Sequence, residues 1–123
     1  MLTHEGMKAA AYEYARCFSA GEREAWLDLF VEEPAIIEPA DSAPRGREAL
    51  ERSFDGAKAA GMRVALEPLR VIANGRDVAM HMRVRATIPG GSVSENSVIE
   101  IFTFADDGRI AWMRTFVDPE QLL

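Results

Sequence analysis

Gly61 divides the sequence into two halves with different hydrophobic periods, and this division limits the fold more than any other feature. Before Gly61, apolar side chains recur every three or four residues, as in helices that bury one face. After Gly61, apolar and polar side chains alternate, as in strands that bury one face. Helices followed by a run of strands indicate an α+β fold. We predict a curved, mostly antiparallel sheet that packs with three N-terminal helices around an apolar pocket.

Three helices are predicted before Gly61, over residues 3–19, 22–32 and 46–60, with one short strand over residues 35–38. In the first helix, Met7, Tyr14 and Phe18 share one face. Pro34 is expected to end the second helix, because the residue before a proline avoids the helical conformation.

Four strands are predicted after Gly61, over residues 62–73, 76–88, 92–105 and 109–117. Pro68 places the first of them at a sheet edge or a bulge, since proline has no N–H for a central ladder. Asn74-Gly75 predicts a two-residue hairpin loop between the first and second of these strands.

Composition favours one soluble domain that spans residues 1–123. The net charge of -6 argues against nucleic acid and anionic membranes as partners, because both attract a basic surface. Cys17 is the only cysteine, so no intrachain disulfide can form. His4 and His81 lack the spacing of metal ligands, and no cofactor motif is present, so neither a metal nor a cofactor is expected. The sequence shows no signal peptide and no membrane span, which makes the cytoplasm the expected location.

Three polar residues stand where the pattern calls for apolar ones. Tyr14 lies on the apolar stripe of the first helix, Glu38 ends an apolar strand, and Glu100 shares a strand face with Phe102. A buried carboxylate is unfavourable unless it is paired or protonated. Glu100 in particular therefore indicates a functional site.

Each of these three residues also has a structural interpretation. For Tyr14 it is a hydroxyl at the rim of the core, and for Glu38 it is a strand end that reaches solvent. For Glu100 it is either a solvent-facing side of the strand or an ion pair with a nearby arginine. The arginines considered are Arg83, Arg85 and Arg114.

Further markers accompany these residues along nearly the whole chain. They are Tyr14, Ser19-Ala20-Gly21, Leu29-Phe30, Glu38-Pro39, Pro44-Arg45-Gly46, Phe54, Glu100, Phe102-Thr103-Phe104, Gly108-Arg109-Ile110 and Met113-Arg114. On these markers the sequence resembles the ketosteroid isomerase-like branch of the nuclear transport factor 2-like superfamily, which includes steroid delta-isomerases and SnoaL-like proteins. The resemblance implies a cone-shaped, cystatin-like domain.

The resemblance also implies a role for each polar residue. Glu38 would be the base that moves a proton α to a carbonyl, and Tyr14 and a protonated Glu100 would donate hydrogen bonds to the resulting oxyanion. The implied activity is a cofactor-independent double-bond isomerisation of a small apolar ketone, in a homodimer formed through the exposed sheet face. The predicted pocket lining is Phe54, Val84, Phe102 and Phe116.

Two departures separate the chain from the steroid isomerases. Glutamates occupy positions 38 and 100, where that group has aspartates, and Asp55 stands where it has a supporting tyrosine. One alternative is another enzyme of the same fold, a SnoaL-like polyketide cyclase or an epoxide hydrolase, although the sequence offers no Asp-Arg-Asp set for the hydrolase. The other alternative is a non-catalytic module for ligand binding or dimerisation.

Overall fold

The computed structural model describes residues 2–118. Within this range the chain forms three helices, which are α1 (His4–Ala20), α2 (Arg23–Leu27) and α3 (Arg47–Ala59). It also forms five strands, which are β1 (Phe30–Ile37), β2 (Arg63–Asn74), β3 (Asp77–Thr87), β4 (Val93–Phe104) and β5 (Ile110–Val117). The predicted α+β class is confirmed.

The strands form one curved sheet in the order β1-β5-β4-β3-β2. β1 pairs with β5 in parallel, and the other neighbours are antiparallel. The inner face of the sheet packs against the helices and holds the core. Alternate residues of the central strands are fully buried there, including Val78 and Met80 on β3 and Phe102 and Phe104 on β4. The alternation read from the sequence therefore corresponds to the inner and outer faces of one sheet.

Local signals set the ends of α1 and α3. The Thr3 hydroxyl accepts a hydrogen bond from the Gly6 N–H at 3.0 Å, which caps the first turn of α1. Gly21 follows α1 with φ of +73°, a left-handed conformation that glycine adopts readily. Gly61, with φ of +68°, turns the chain from α3 into β2 in the same way.

The second helix is much shorter than predicted. α2 ends at Leu27 and β1 begins at Phe30, so the prediction of a helix through residue 32 is wrong. The cause is a contact from α3: the Arg47 guanidinium donates to the carbonyl oxygens of Leu27 at 3.1 Å and Val31 at 3.0 Å. Arg47 thereby satisfies carbonyls that a longer helix would have used itself.

Pro34 lies inside β1 and does not end a helix. β1 is an edge strand, and its register with β5 shifts between Phe30 and Ala35. A proline fits at such a position because no ladder hydrogen bond needs its missing N–H.

The β2–β3 hairpin differs from the prediction by one residue. Asn74 pairs with Asp77, so the loop is Gly75-Arg76 and not Asn74-Gly75. The two alternatives predicted from Pro68 both hold, because β2 is an edge strand and its register shifts directly after Pro68.

Candidate active site

A cavity of about 420 Å³, here called the inner cavity, lies between the helices and the inner face of the sheet. Most of its wall is apolar, with side chains such as Leu50, Met82 and Val98. A few polar side chains also reach it. They are Tyr14, Glu38, Ser53, Glu100 and Thr115. An apolar cavity with a small number of convergent polar groups is typical of a small-molecule site.

The three polar residues singled out in the sequence all line this one cavity, each from a different element. Tyr14 lies on α1, where its ring packs against Phe102 with a centroid distance of 5.0 Å. Glu100 points inward from the middle of β4 because it shares the parity of Phe102. Glu38 follows directly after the end of β1. Residues far apart in sequence thus meet because the sheet curves around α1.

Glu100 is held by two hydroxyl groups. It lies opposite Thr115 in the β4–β5 register, and the Thr115 hydroxyl donates to Glu100 Oε2 at 2.7 Å. The Tyr14 hydroxyl is 3.5 Å from Glu100 Oε1, which is a long and weak hydrogen bond. The Glu100 and Thr115 side chains are both almost completely buried. The alternative of a solvent-facing or arginine-paired Glu100 is therefore wrong for this structure.

Burial dominates the electrostatics of Glu100. The pKa of this carboxyl is raised from an ordinary value of 4.5 to about 8, with burial as the main cause; the nearby negative charge of Glu38 acts in the same direction, and the two hydroxyl donors act against it. A carboxyl with this pKa is mostly protonated at pH 7. Glu100 can then donate a hydrogen bond as well as accept one.

Glu38 lies at the open side of the inner cavity. Glu38 as a residue is exposed to solvent. The protein around its carboxyl nevertheless displaces part of the water, and this desolvation raises its pKa. The positive charge of Arg45 opposes this rise. The pKa of Glu38 is raised less than that of Glu100, so the two carboxyls are suited to different roles, one as base and one as acid.

Tyr14 remains a neutral hydroxyl. Burial raises the pKa of its phenol well above the usual value, and the charges of Glu100 and Glu38 act in the same direction. An un-ionised phenol is a hydrogen-bond donor. Tyr14 therefore presents a donor beside Glu100 at the wall of the inner cavity.

The four residues of the predicted lining lie in different surroundings. Val84 lines the inner cavity. Phe54 and Phe102 are buried in the core and do not line it. Phe116 lies on the outer face of the sheet, 43% exposed, with the Arg114 guanidinium 5.2 Å from its ring centroid. Phe54 lines an adjoining cavity, whereas Phe102 and Phe116 line neither of the two.

A bulge explains the position of Phe116. Thr103 pairs with Trp112 and Phe104 pairs with Ile110, so Ala111 has no partner on β4. This extra residue reverses the parity along β5. Ile110 faces inward, and beyond the bulge the inward residues are Met113, Thr115 and Val117.

Among the cavity residues that were not identified from the sequence, two have features that bear on the site. Thr115 is a polar residue between inward-facing Met113 and Val117, which is the same signal that marked Glu100. Trp26 on α2 lines the inner cavity, and within residues 2–118 its indole N–H has no hydrogen-bond acceptor. Nothing in the sequence around Trp26 distinguishes it from an ordinary core residue.

Asp55 is not part of this network. Its carboxylate accepts two hydrogen bonds from the Arg23 guanidinium, at 2.9 and 3.0 Å, on the protein surface. The aspartate at this position thus forms an ion pair between α3 and α2. In the described part of the chain, Thr115 is the side chain that supports Glu100 with a short hydrogen bond.

Two kinds of feature are absent from residues 2–118. No helix in this range is long and apolar enough to cross a membrane. No group of three or more histidine, cysteine, aspartate or glutamate side chains is arranged there to hold a metal ion.

One protein family matches most of the chain. The SnoaL-like domain family matches residues 11–113, and the protein belongs to this family. The comparison with curated proteins gave no match.

Solved structures share the fold over nearly the full length. The epoxide hydrolase/cyclase-like enzyme SalBIII, which acts in pyran ring formation in the polyether salinomycin, is 26% identical with a TM-score of 0.87, over 98% of this chain and 97% of that one. A candidate polyketide cyclase from Xanthomonas campestris pv. campestris is 18% identical, with a TM-score of 0.84 over 97% and 95% of the two chains. A Mycobacterium tuberculosis protein in complex with estradiol-17β-hemisuccinate is 22% identical, with a TM-score of 0.82 over 94% and 96%.

Proposed function

We propose that the protein is a cofactor-independent acid–base enzyme that isomerises a small, mostly apolar ketone by moving a proton α to the carbonyl. One observation carries this proposal. A neutral acid, a phenol and a second carboxyl line one apolar cavity, and their environments separate the pKa values of the two carboxyls.

Each residue has a defined role in this reaction. The Glu38 carboxylate removes a proton from the carbon next to the carbonyl. The negative charge that develops on the carbonyl oxygen is stabilised by hydrogen bonds from Tyr14 and protonated Glu100. Glu38 then returns the proton to a different carbon, so the double bond moves and no external reactant is consumed. A positioned base contributes about 10²–10⁴-fold to such a rate, and one oxyanion donor contributes about 10²–10³-fold.

A second reaction class uses the same groups. Glu100 can protonate an epoxide oxygen while Glu38 deprotonates the attacking hydroxyl, which closes a cyclic ether. The neutral state of Glu100 favours this reaction, since the opening of an epoxide needs a proton donor for the epoxide oxygen. The structural likeness to SalBIII also supports it. A polyketide cyclase would instead use the enolate formed at the same site to close a carbon ring.

The experiment that tests the function compares two variants that remove the same charge. In Glu38→Gln the amide keeps the shape of the side chain and cannot accept the proton, so turnover should fall about 10²–10⁴-fold while ligand affinity stays nearly unchanged. Glu33→Gln, at an exposed position of β1, is the control and should leave turnover unaltered. Substrates are a β,γ-unsaturated steroid ketone and an epoxy alcohol, and binding is followed separately with estradiol.

Each result of this comparison has a defined meaning. Turnover of the ketone alone supports the isomerase, and turnover of the epoxide alone supports the ring-closing reaction. Full activity of Glu38→Gln on either compound removes Glu38 from the mechanism. Binding of estradiol by a protein that turns over neither compound favours the non-catalytic ligand-binding module.

We also propose that the protein forms a homodimer through the outer face of the sheet. Large apolar side chains lie on that face on neighbouring strands, and Ile99, Trp112 and Phe116 are 43%, 48% and 43% exposed. Ile99 and Phe116 are direct neighbours in the β4–β5 register. The outer face of an antiparallel sheet is usually polar, and a contiguous apolar patch marks an interaction surface.

A further inference from the structure

A second cavity adjoins the inner cavity. This outer cavity of about 530 Å³ lies between the C-terminal ends of α1 and α3 and the start of β2. Four side chains line both cavities, so the two cavities adjoin. These side chains are Phe18, Ala57, Met62 and Val64.

The charged side chains that line the outer cavity are all positive, whereas the chain as a whole is negatively charged. Its lining includes Lys58, Arg63 and Arg85, and no aspartate or glutamate contributes to it. The chain as a whole carries a net charge of -6, so three cations at one opening are a local reversal. Such a reversal concentrates anions near the opening.

Two of the three cations form no close ion pair in the described part of the chain, although the pKa of Asp55 is lowered by its hydrogen bond to Arg23 and, at longer range, by the charge of Lys58. Arg85 contacts Glu95 at 3.6 Å. Asp55, one turn before Lys58, is bound by Arg23 at 2.9 Å. Lys58 and Arg63 have no carboxylate within ion-pair distance among residues 2–118. Lys58 also lies in the last turn of α3, where a cation complements the helix dipole, but this does not explain Arg63 on β2.

We propose that the substrate carries a carboxylate at the end opposite its reacting group, and that Lys58 and Arg63 bind this carboxylate in the outer cavity. The inference rests on the proposed function, because it places the reacting end beside Glu38 and Glu100 in the inner cavity. The substrate class is then an elongated, apolar oxo acid or epoxy acid. Its length spans two cavities, and its charge fixes which end enters first.

Three steroid probes separate charge from size. Estradiol fills the inner cavity without a charged tail, its 17-hemisuccinate adds a carboxylate, and the methyl ester of that hemisuccinate has nearly the same length without the charge. The wild-type protein should bind the hemisuccinate about fivefold more tightly than the methyl ester, which is the range for two solvent-exposed ion pairs. This preference should shrink when the salt concentration rises, because exposed charges are screened.

A matched pair of double variants locates the effect. In Lys58→Gln/Arg63→Gln the preference for the acid over the ester should disappear, with estradiol affinity unchanged. Lys8→Gln/Arg52→Gln is the control. It removes the same charge from exposed positions of α1 and α3 that line neither cavity, and it should keep the preference. Circular dichroism of all variants checks that they are folded.

The outcomes separate this inference from the proposed function. Equal affinity of the wild-type protein for the acid and the ester, or a preference that survives in Lys58→Gln/Arg63→Gln, overturns the carboxylate site and leaves the function intact. A clear acid preference in a protein that turns over neither test substrate supports the carboxylate site and counts against the proposed reaction. A protein that binds none of the three probes contradicts both.

Discussion

Glu100 makes the stability of the protein depend on pH. Its pKa is about 8 in the folded protein and near 4.5 when the chain is unfolded and the carboxyl is in water. Between these values the folded state holds a proton that the unfolded state has released, so stability falls as pH rises from about 4.5 to about 8. Below that range the carboxyl contributes nothing to the pH dependence. By pH 7 the loss amounts to about 3 kcal/mol.

Glu100→Gln removes this dependence, because an amide has the same shape and never ionises. We expect the free energy of unfolding of the variant, minus that of wild type, to be about 3 kcal/mol larger at pH 7 than at pH 4, which means that the variant gains relative stability as pH rises. Paired urea melts at the two pH values measure this difference. If the variant loses stability relative to wild type on going from pH 4 to pH 7, then Glu100 is ionised and its role as a donor fails.

Thr115 tunes the acid through its 2.7 Å hydrogen bond to Glu100 Oε2. The donated hydrogen bond favours the carboxylate and so lowers the pKa of Glu100. Thr115→Val keeps the shape and removes the donor, so the pKa of Glu100 should rise further. We therefore expect the alkaline limb of the pH–rate profile to move to higher pH, with a loss of about 1 kcal/mol in stability.

Thr103→Val is the control for this measurement. Thr103 lies on the same pair of strands, with its hydroxyl bonded to Asp77 outside the site. Its pH–rate profile should match that of wild type. An alkaline limb that stays in place in Thr115→Val would show that Thr115 does not act on the titrating acid.

At the scale of helices and strands, the sequence was informative where structure is decided locally. The buried faces of β3 and β4 follow from strict alternation, and the ends of α1 and α3 follow from Gly21 and Gly61. The meeting of Tyr14, Glu38 and Glu100 was predicted because each interrupts an apolar pattern and matches a family position. Thr115 also interrupts an apolar parity between Met113 and Val117, but β5 alone does not reveal that this parity faces the cavity.

The errors arose where distant contacts decide the structure. α2 ends early because Arg47, twenty residues further on, bonds to the Leu27 carbonyl. The side of β5 that faces the cavity depends on a bulge at Ala111, which appears only in the pairing with β4. The alternation of apolar and polar residues within β5 cannot reveal that β5 has one residue more than β4 at this point.

The glycines that end α1 and α3 allow a prediction about these junctions. Both have positive φ, +73° at Gly21 and +68° at Gly61, so alanine should cost about 1–2 kcal/mol at either position. A Cβ at Gly61 would also lie 3.1 Å from Cγ of Pro89, whereas nothing lies within 4 Å at Gly21. We expect urea melts to show a larger loss of stability for Gly61→Ala than for Gly21→Ala. Equal losses would mean that the β3–β4 turn at Pro89 moves aside freely.

On the scale of the whole molecule, the two faces of the sheet serve different purposes. The inner face, with the helices, forms both cavities from one chain. The outer face presents Ile99, Trp112 and Phe116 to solvent. The proposed catalysis and the proposed dimerisation would therefore use opposite faces of the same strands, and a substitution on one face should leave the other face intact.

Trp112→Glu tests this separation. In the proposed symmetric dimer a charge on the outer face appears twice at the contact, so the variant should be a monomer of 13.6 kDa. Tyr12→Glu, at a 51% exposed position on α1, is the control and should remain dimeric. Light scattering coupled to gel filtration gives the masses, and Phe116→Glu repeats the test if Trp112→Glu does not fold. Because the cavity residues of one chain suffice for the site, the monomeric variant should still bind estradiol. A wild-type protein that is monomeric at micromolar concentration, or a Trp112→Glu variant that stays dimeric, would contradict the proposed interface.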